Sequence, residues 1–598
     1  MGWQNLQQFV EALRMRNQVR IIDTPVDANL EVAEIHRRVI AAGGPALLFT
    51  RVKGKSFPLI TNLFGTRERV ELAFGSDNPI EPVVQMAEQL FPPQLGTLWK
   101  HRSTIARGLR SGTRTLWGQA PVLRCQIPGA DLTQLPALTS WHEDGGPFLT
   151  LPLVHTLSLD GKPSNLGMYR VQIFEPGEAG MHFQIGKGGG FHLYQAEQRN
   201  EALPVNIYLG GPPALLLSAI CPLPENVPEL LMASFLQGAK LKTKKAGNHP
   251  IPVMAEAEFC LSGHVPPHVR RPEGPFGDHY GYYSLLHDFP VFRPSAIYHR
   301  PNAIFPATVV GKPCQEDFHI GEYLQSLLSP LFPLVMPAVR DLWSYGECGF
   351  HALSAAVLQE RYHREALSAA FRILGEGQLA LTKFLFCLDS PVPLRDFPAV
   401  LTHLLERVEW HTDLYVLGHT AMDTLDYSGP ALNKGSKAII LGLGAPKRTL
   451  PRVFSGEIPP GVRNVHVFSP GCLVLEGASY AENPRWLEEL ALLPFLRPWS
   501  MVVVVDSVAA ATRSSTAFLW TTFTRLDPMQ DLYAAKMERV GHRVAYEPPI
   551  LFDARVKPSY PRELFCEAET AQLVTENWNR YFPGGGVEMG NSDAANLV

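Results

Sequence analysis

The chain has 598 residues, 45% of them apolar and 18% charged, with a formal net charge of −4. That length and composition allow more than one folded core and exclude a disordered chain. The charge offers no bulk attraction to nucleic acid or to an anionic membrane, and no apolar run approaches the length of a membrane span.

Leu6, Phe9, Val10 and Leu13 recur at helical spacing among polar residues, which predicts an amphipathic opening helix rather than a signal peptide. Residues 20–23 and 46–49 read as short strands flanking a helix over about 30–42, a small α/β module. From 121 to 305 the chain breaks into short apolar runs separated by Gly and Pro, at 151–158, 205–209, 214–219 and 303–310, the pattern of a β-rich domain. Residues 316–328 predict a helix, and 360–385 read as largely helical, ended by Pro391 and Pro393. The last third alternates strands at 438–441, 472–475 and 501–505 with a helix over 484–493, which is βαβ logic. No internal repeat is visible, and the glycine-rich tail from Gly584 is expected to fray. The eight cysteines include no C-x-x-C pair, which fits a reducing cytoplasm.

The strongest chemical signal is Glu273-Gly274-Pro275-Phe276-Gly277-Asp278. Pro275 and the two glycines exclude regular structure, so a loop can aim both carboxylates at one point. Seen alone this is a turn. Its neighbours shift the balance: His279-Tyr280-Gly281-Tyr282-Tyr283 follows directly, and Asn165-Leu166-Gly167-Met168-Tyr169-Arg170 stands upstream. An arginine held between two carboxylates keeps one ionised and leaves the other to carry a proton. Other clusters read more simply. Trp141-His142-Glu143-Asp144 is expected to be a solvated loop, and His351, His363 and His411 structural. Lys434 and Lys437 are expected in a surface turn, and Glu316 at a helix start, where the dipole favours a carboxylate.

Taken together, these motifs resemble the UbiD family of decarboxylases, which use prenylated flavin mononucleotide. The resemblance covers nearly the whole chain. It runs through Asn165 and Arg170, Lys187-Gly188-Gly189-Gly190, Glu229 after Pro222-Leu223-Pro224, the 273–278 loop, Gly311-Lys312-Pro313 with Gln315-Glu316-Asp317, and Trp520 with Arg525-Leu526-Asp527-Pro528. It implies a reversible decarboxylase of an aromatic or α,β-unsaturated acid, with Asp278 as proton donor, Arg170 holding the substrate carboxylate and Glu273 completing the network. It implies cofactor contacts from Asn165, Met168, Tyr169, Arg170, His182, Phe183, Gln184, Lys187, Gly188 and Glu229. A divalent ion, manganese in many members, would lie on Asn165 and Glu229, and a monovalent cation such as potassium can accompany it. Gly186 stands where the family's metal-binding histidine is usual. Either His182 substitutes, or a water does, or His182 is structural or stacks on the cofactor.

The resemblance also implies an α+β and α/β architecture. Residues 1–120 form an N-terminal α/β module, 121–315 a split β-barrel core binding the cofactor, 316–390 a helical linker, and 391–598 an α/β oligomerisation domain. The site is expected between domains, in a homodimer or larger assembly, with a flavin prenyltransferase supplying the cofactor. Gly321-Glu322-Tyr323-Leu324 and Gly375-Glu376-Gly377-Gln378 are similar to the longer subgroup of menaquinone biosynthesis by the futalosine route, implying a dihydroxynaphthoate-type acid. The 4-hydroxy-3-polyprenylbenzoate reaction of ubiquinone biosynthesis is the alternative. A non-catalytic flavin-binding subunit of a larger complex, or a flavin reductase, are readings from other classes.

Overall fold

The structure, a computed structural model, describes residues 2–89, 95–161, 164–183, 188–223 and 227–591. It divides into two compact units. The first comprises the chain to Leu327 together with the segment from Glu563, and the second runs from Leu328 to Arg562.

The first unit opens on helix Leu6–Met15, capped by the Asn5 side chain, with Leu6, Phe9, Val10 and Leu13 buried as the spacing predicts. A four-stranded sheet follows in the order Val19–Ile22, Ala46–Phe49, Leu59–Thr61 and Phe305–Pro306. Helix Glu31–Ala41, which joins the first two strands, is buried along nearly its whole length, charged residues included.

The main body is a ten-stranded antiparallel sheet organised about the long strand His287–His299. Glu178–Met181 and Arg270–Glu273 pair with the first half of that strand, and Phe259–Val265 and Cys125–Ile127 with the second. Leu203–Leu209, Leu153–Leu157 and Ser164–Met168 continue the sheet beyond Phe259–Val265. Phe49 and Phe305 of the small sheet, Ile207, Phe259 and Phe292 of the large one, and Val574 and Tyr581 of the returning C-terminal helix share one core. The run at 214–219 is not a strand but part of helix Pro213–Ile220. An apolar run buried all round has no periodicity to separate the two states, and the proline at its first turn is a helix signal.

The second unit holds two five-stranded sheets. In the first the order is Val339–Ser344, Leu353–Leu358, Phe384–Leu388, Lys434–Gly442 and Leu414–Ala421. In the second it is Asn464–Ser469, Cys472–Glu476, Met501–Val505, Arg543–Asp553 and Leu532–Val540. Each sheet pairs antiparallel, parallel, parallel, antiparallel along that order. The same topology therefore occurs twice, although the sequence shows no repeat, because topology constrains where strands fall and not which apolar residues fill them. Alternate residues of these strands enter different cores. Ile440 and Val503 lie in a core common to both sheets, whereas Ile439 packs under helix Glu365–Ile373 and Val502 under helix Trp486–Leu490. Burial on both faces explains the unbroken apolar run of Met501–Val505.

The span 316–390, expected to be a helical linker, begins with helix Glu316–Leu328 but then contributes three strands to the first of these sheets. Phe384–Leu388 is fully buried, the case in which a strand and a helix segment look alike in sequence. Lys437 is not in a surface turn. It lies within Lys434–Gly442, almost fully buried, and donates to the Thr382 carbonyl at 2.8 Å. The tail beyond Gly584 is not frayed as far as it is described: Val587 is buried, Trp578 Nε1 donates to its carbonyl at 3.2 Å, and Gly590 N donates to Arg38 O at 3.1 Å.

Candidate active site

Three strand ends deliver the charged groups. Arg170 follows strand Ser164–Met168 and immediately precedes Val171–Glu175. Glu273 ends Arg270–Glu273, and Asp278 lies in the loop beyond it. Arg170 Nε donates to Glu273 Oε1 at 2.7 Å and its Nη2 to Glu273 Oε2 at 2.9 Å, a bidentate pair. Its Nη1 donates to Asp278 Oδ2, and Nη2 also reaches Ser284 Oγ at 3.2 Å. The guanidinium lies 4.8 Å from the centre of the Phe276 ring. The two carboxylates and the arginine that the sequence motifs single out are thus brought into one buried cluster.

Burial alone would raise both carboxyls. For Glu273 the adjacent Arg170 outweighs it and holds the group at about 2. For Asp278 the hydrogen bond from His279, whose Nδ1 lies 2.7 Å from Asp278 Oδ1, and the charge of Arg170 push the carboxyl well below the usual range. This corrects the expectation of an Asp278 already raised to act as an acid. With Arg170 on both carboxylates, both are ionised.

The loop is fixed by residues outside the motif. Gln172 Oε1 accepts the Gly274 amide at 2.8 Å, Ser284 Oγ accepts that of Phe276 at 3.1 Å, and Asp144 Oδ1 accepts that of Gly277 at 2.7 Å. The other Asp144 oxygen accepts the amides of Ser140 and Trp141 at 2.8 and 2.9 Å. Trp141 is buried while His142 is exposed and Glu143 and Asp144 are half-buried, so the loop 141–144 is solvated only in part. Arg37 stacks 4.0 Å over the Trp141 ring, and a Cβ at Gly277 would meet that ring at 2.1 Å. Burial raises Asp144 to about 7 despite its three amide donors. Asp317 is a further carboxyl raised by burial, and it interacts electrostatically with both His279 and Asp278. Asp144, His279 and Asp317 stand within the sequence motifs but are given no role there; tertiary contact brings them to Asp278 and its loop. Glu316, by contrast, is structural. It is 1% exposed and accepts the Phe64 amide at 2.7 Å and the Thr308 hydroxyl at 2.6 Å.

A second group of predicted residues sits along the same strand. Asn165 is buried, and its Nδ2 has no partner among the described residues. Glu229 is the first residue of helix Glu229–Gln237, and its Oε2 accepts the Leu166 amide at 3.1 Å. Burial raises its carboxyl, with backbone amides alone acting against that. Gly188 opens helix Gly188–Gln198, and a Cβ there would lie 2.2 Å from Asn165 Oδ1. Gly189 N donates to Tyr169 OH at 3.4 Å, and the Tyr169 and Phe183 rings meet edge to face at 5.1 Å. His182 joins the charged cluster instead. Its Nδ1 lies 3.5 Å from Glu273 Oε2, its ring packs 4.2 Å from Phe289, and its buried Nε2 has no partner among the described residues. Met168 ends its strand opposite Leu153, half-buried. Gln184, Gly186, Lys187 and Pro224 lie outside the described residues.

An orphaned amide, a half-buried carboxylate held by a backbone amide and a helix N-terminus beside the amide suit a hard cation and a phosphate. Among the described residues no cluster of three His, Cys, Asp or Glu side chains could hold a metal, so Asn165 and Glu229 provide a partial donor set.

Comparison with known proteins places the chain in a family. The N-terminal, central Rift-related and C-terminal domains of 3-octaprenyl-4-hydroxybenzoate carboxy-lyase (UbiD) match residues 10–89, 115–313 and 318–442. A Chlamydia pneumoniae protein, named as a subunit of 4-hydroxybenzoate decarboxylase, is 52% identical over 581 residues, 97% of this chain and 98% of that one. Vanillic acid decarboxylase of Sedimentibacter hydroxybenzoicus, in its closed form, superposes with a TM-score of 0.67 at 22% identity, over 82% of this chain and 98% of that one. HmfF of Pelotomaculum thermopropionicum, in complex with FMN, gives 0.61 at 22% identity, over 76% and 98%. At that identity the two structures establish the shared fold. The relative that is half identical and the three family domains in order establish more: the chain belongs to the UbiD family of carboxy-lyases.

Proposed function

We propose that the protein decarboxylates an aromatic carboxylic acid with the help of prenylated flavin mononucleotide, and that Arg170, Glu273 and Asp278 are its catalytic residues. The observation that carries this is the single guanidinium shared by two buried carboxylates. The flavin would be held at its phosphate by the N-terminus of helix Gly188–Gln198 and by Lys187, and through a divalent cation, manganese by resemblance, on Asn165 and Glu229. When bound, it supplies the electron sink that carbon dioxide loss requires.

The chain's own residues do the rest. Arg170 turns from Asp278 to the substrate carboxylate, which offers the same planar, bidentate target. Asp278 then keeps only His279 against the effect of burial, so its carboxyl rises and takes a proton from water. After carbon dioxide leaves, Asp278 gives that proton to the carbon that bore the carboxylate. Glu273 keeps Arg170 oriented throughout, and neutral His182, depressed by burial and by Arg170, packs behind Glu273.

The acid we favour is of the dihydroxynaphthoate type, on the resemblance of 321–324 and 375–378 to the menaquinone subgroup. A hydroxybenzoate is the second reading, supported by the name of the Chlamydia pneumoniae relative. A homodimer or larger homo-oligomer, served by a flavin prenyltransferase in the cytoplasm, completes the proposal. Among the described residues no helix is long and apolar enough to cross a membrane.

The test is Asp278→Asn in protein co-expressed with a flavin prenyltransferase and assayed with both acids. Decarboxylation should fall by about 10²-fold or more while the spectrum of the bound cofactor persists. Full activity would remove Asp278 from the mechanism, and a wild-type protein that never loads the flavin would favour a non-catalytic role within a larger complex.

A further inference from the structure

Charge is unevenly placed on the first unit. Between Glu88 and Asp131 there is no acidic residue, whereas Lys100, Arg102, Arg107, Arg110, Arg114 and Arg124 fall within that stretch. Residues 90–114 also lie between the matched N-terminal and central family domains. Strand Thr113–Thr115 pairs in parallel with Leu241–Lys244, which brings the 240–245 lysines alongside. Some of these cations are used internally. Arg107 donates to the carbonyls of Phe235 and Leu236, Lys242 pairs with Glu256 at 2.8 Å, and Lys244 donates to Leu116 O at 3.1 Å. Arg102, Arg110, Arg114, Lys240 and Lys245 are exposed.

Large apolar side chains stand among them without cover: Trp99 is 71% exposed, Leu109 78% and Trp117 99%. Arg102 lies 5.0 Å over the Trp99 ring. Arg114 and Lys240 line a shallow pocket with Lys242, Glu256 and Gln237. Gln237 is 6% exposed, and its Oε1 has no partner among the described residues. Arg114 and Lys240, the exposed cations of this lining, are suited to a phosphate group.

We propose that this face docks on an anionic phospholipid surface. Basic side chains are drawn to the headgroups, and exposed tryptophans belong at the boundary between headgroup and acyl chain. A second copy of this chain would present the same positive charge and be repelled. Nucleic acid would gain from the arginines, but it gives Leu109 no apolar medium. The inference stands apart from the reading of the active site. Its consequence would be access to acids that carry an apolar tail.

The experiment is flotation of the full-length protein with vesicles of phosphatidylcholine alone and of equal parts phosphatidylcholine and phosphatidylglycerol, with tryptophan emission recorded in parallel. Wild type should float with the anionic vesicles only, with blue-shifted emission, and be released by salt. The exposed triple variant Arg110→Glu, Arg114→Glu, Lys240→Glu should lose about tenfold or more in partitioning, and Trp117→Ser should lose the blue shift. Wild type that stays in solution with anionic vesicles at low salt would overturn the proposal. So would a triple variant that floats like wild type, or tighter binding to a short DNA duplex than to the vesicles.

Discussion

Asp144 and Gly277 are joined by a 2.7 Å hydrogen bond that anchors the Phe276–Gly277 peptide, one residue before Asp278. Asp144→Asn must turn an NH2 group toward at least one of the three amides now donating to this carboxylate. Loss of one charge-assisted bond is worth about 1.5–3 kcal/mol, and the loop that aims Asp278 should loosen. Decarboxylase activity is expected to fall about tenfold with an unchanged circular dichroism spectrum. The same residue predicts a pH effect. Its folded value of about 7 lies above the ordinary 3.8, so the folded chain holds a proton there that the unfolded chain has lost. That contribution is present at low pH and is lost as pH rises through this window. Denaturant midpoints at pH 5 and pH 8 should therefore differ less in Asp144→Asn than in wild type.

Arg170→Ala leaves Glu273 and Asp278 buried without their cation. Removing one partner of a buried ion pair costs about 3–5 kcal/mol, so the variant should unfold at a clearly lower temperature as well as lose activity. Arg170→Lys restores a charge but not the bidentate geometry. It should recover part of the stability and little of the activity. Equal recovery of both would show that geometry at this position is unimportant.

Acid sensitivity should trace to Glu273. Its folded value of about 2 lies below the ordinary 4.5, so its contribution is complete above about 4.5 and disappears as pH falls toward 2. Wild type should lose stability between pH 5 and pH 3 more steeply than Glu273→Gln, measured by urea unfolding. Parallel slopes would mean that Arg170 does not hold this carboxylate ionised.

Asp317 interacts electrostatically with His279 and Asp278, and its carboxyl is raised by burial and by the charge of Asp278. Asp317→Asn should lower kcat about tenfold or more and change the alkaline limb of the pH–rate profile, leaving KM nearly unchanged. A larger effect on KM would place Asp317 in substrate binding instead.

Much of this is written locally in the chain. Ala46–Phe49, Glu316–Leu328 and Met501–Val505 are an alternating or continuous apolar pattern bounded by polar or turn residues, and each forms the element that its pattern predicts. Arg170, Glu273 and Asp278 could be chosen because motif order ties them together before any fold is known. What escapes is what only tertiary contact decides. Nothing near Trp141 says that its ring will fill the space left by Gly277, or that Arg37 will stack on it. Likewise 214–219 and 384–388 are too apolar to show a period. The net charge of −4 hides the basic face because acids elsewhere in the chain cancel it in the sum.

The return of the chain to the first unit at Glu563 has a consequence for synthesis. Helix Ala568–Tyr581 packs on Glu31–Ala41: Arg38 donates to Ala571 O at 2.8 Å, Tyr581 OH donates to Glu31 Oε1 at 2.6 Å, and Val574 joins the core. The unit that carries the active site is therefore closed by residues made only after the whole second unit. The second unit, contiguous from 328 to 562, can be complete before then. A nascent chain stalled before Ala568 would expose the Glu31–Ala41 face, making the half-made enzyme a client for chaperones.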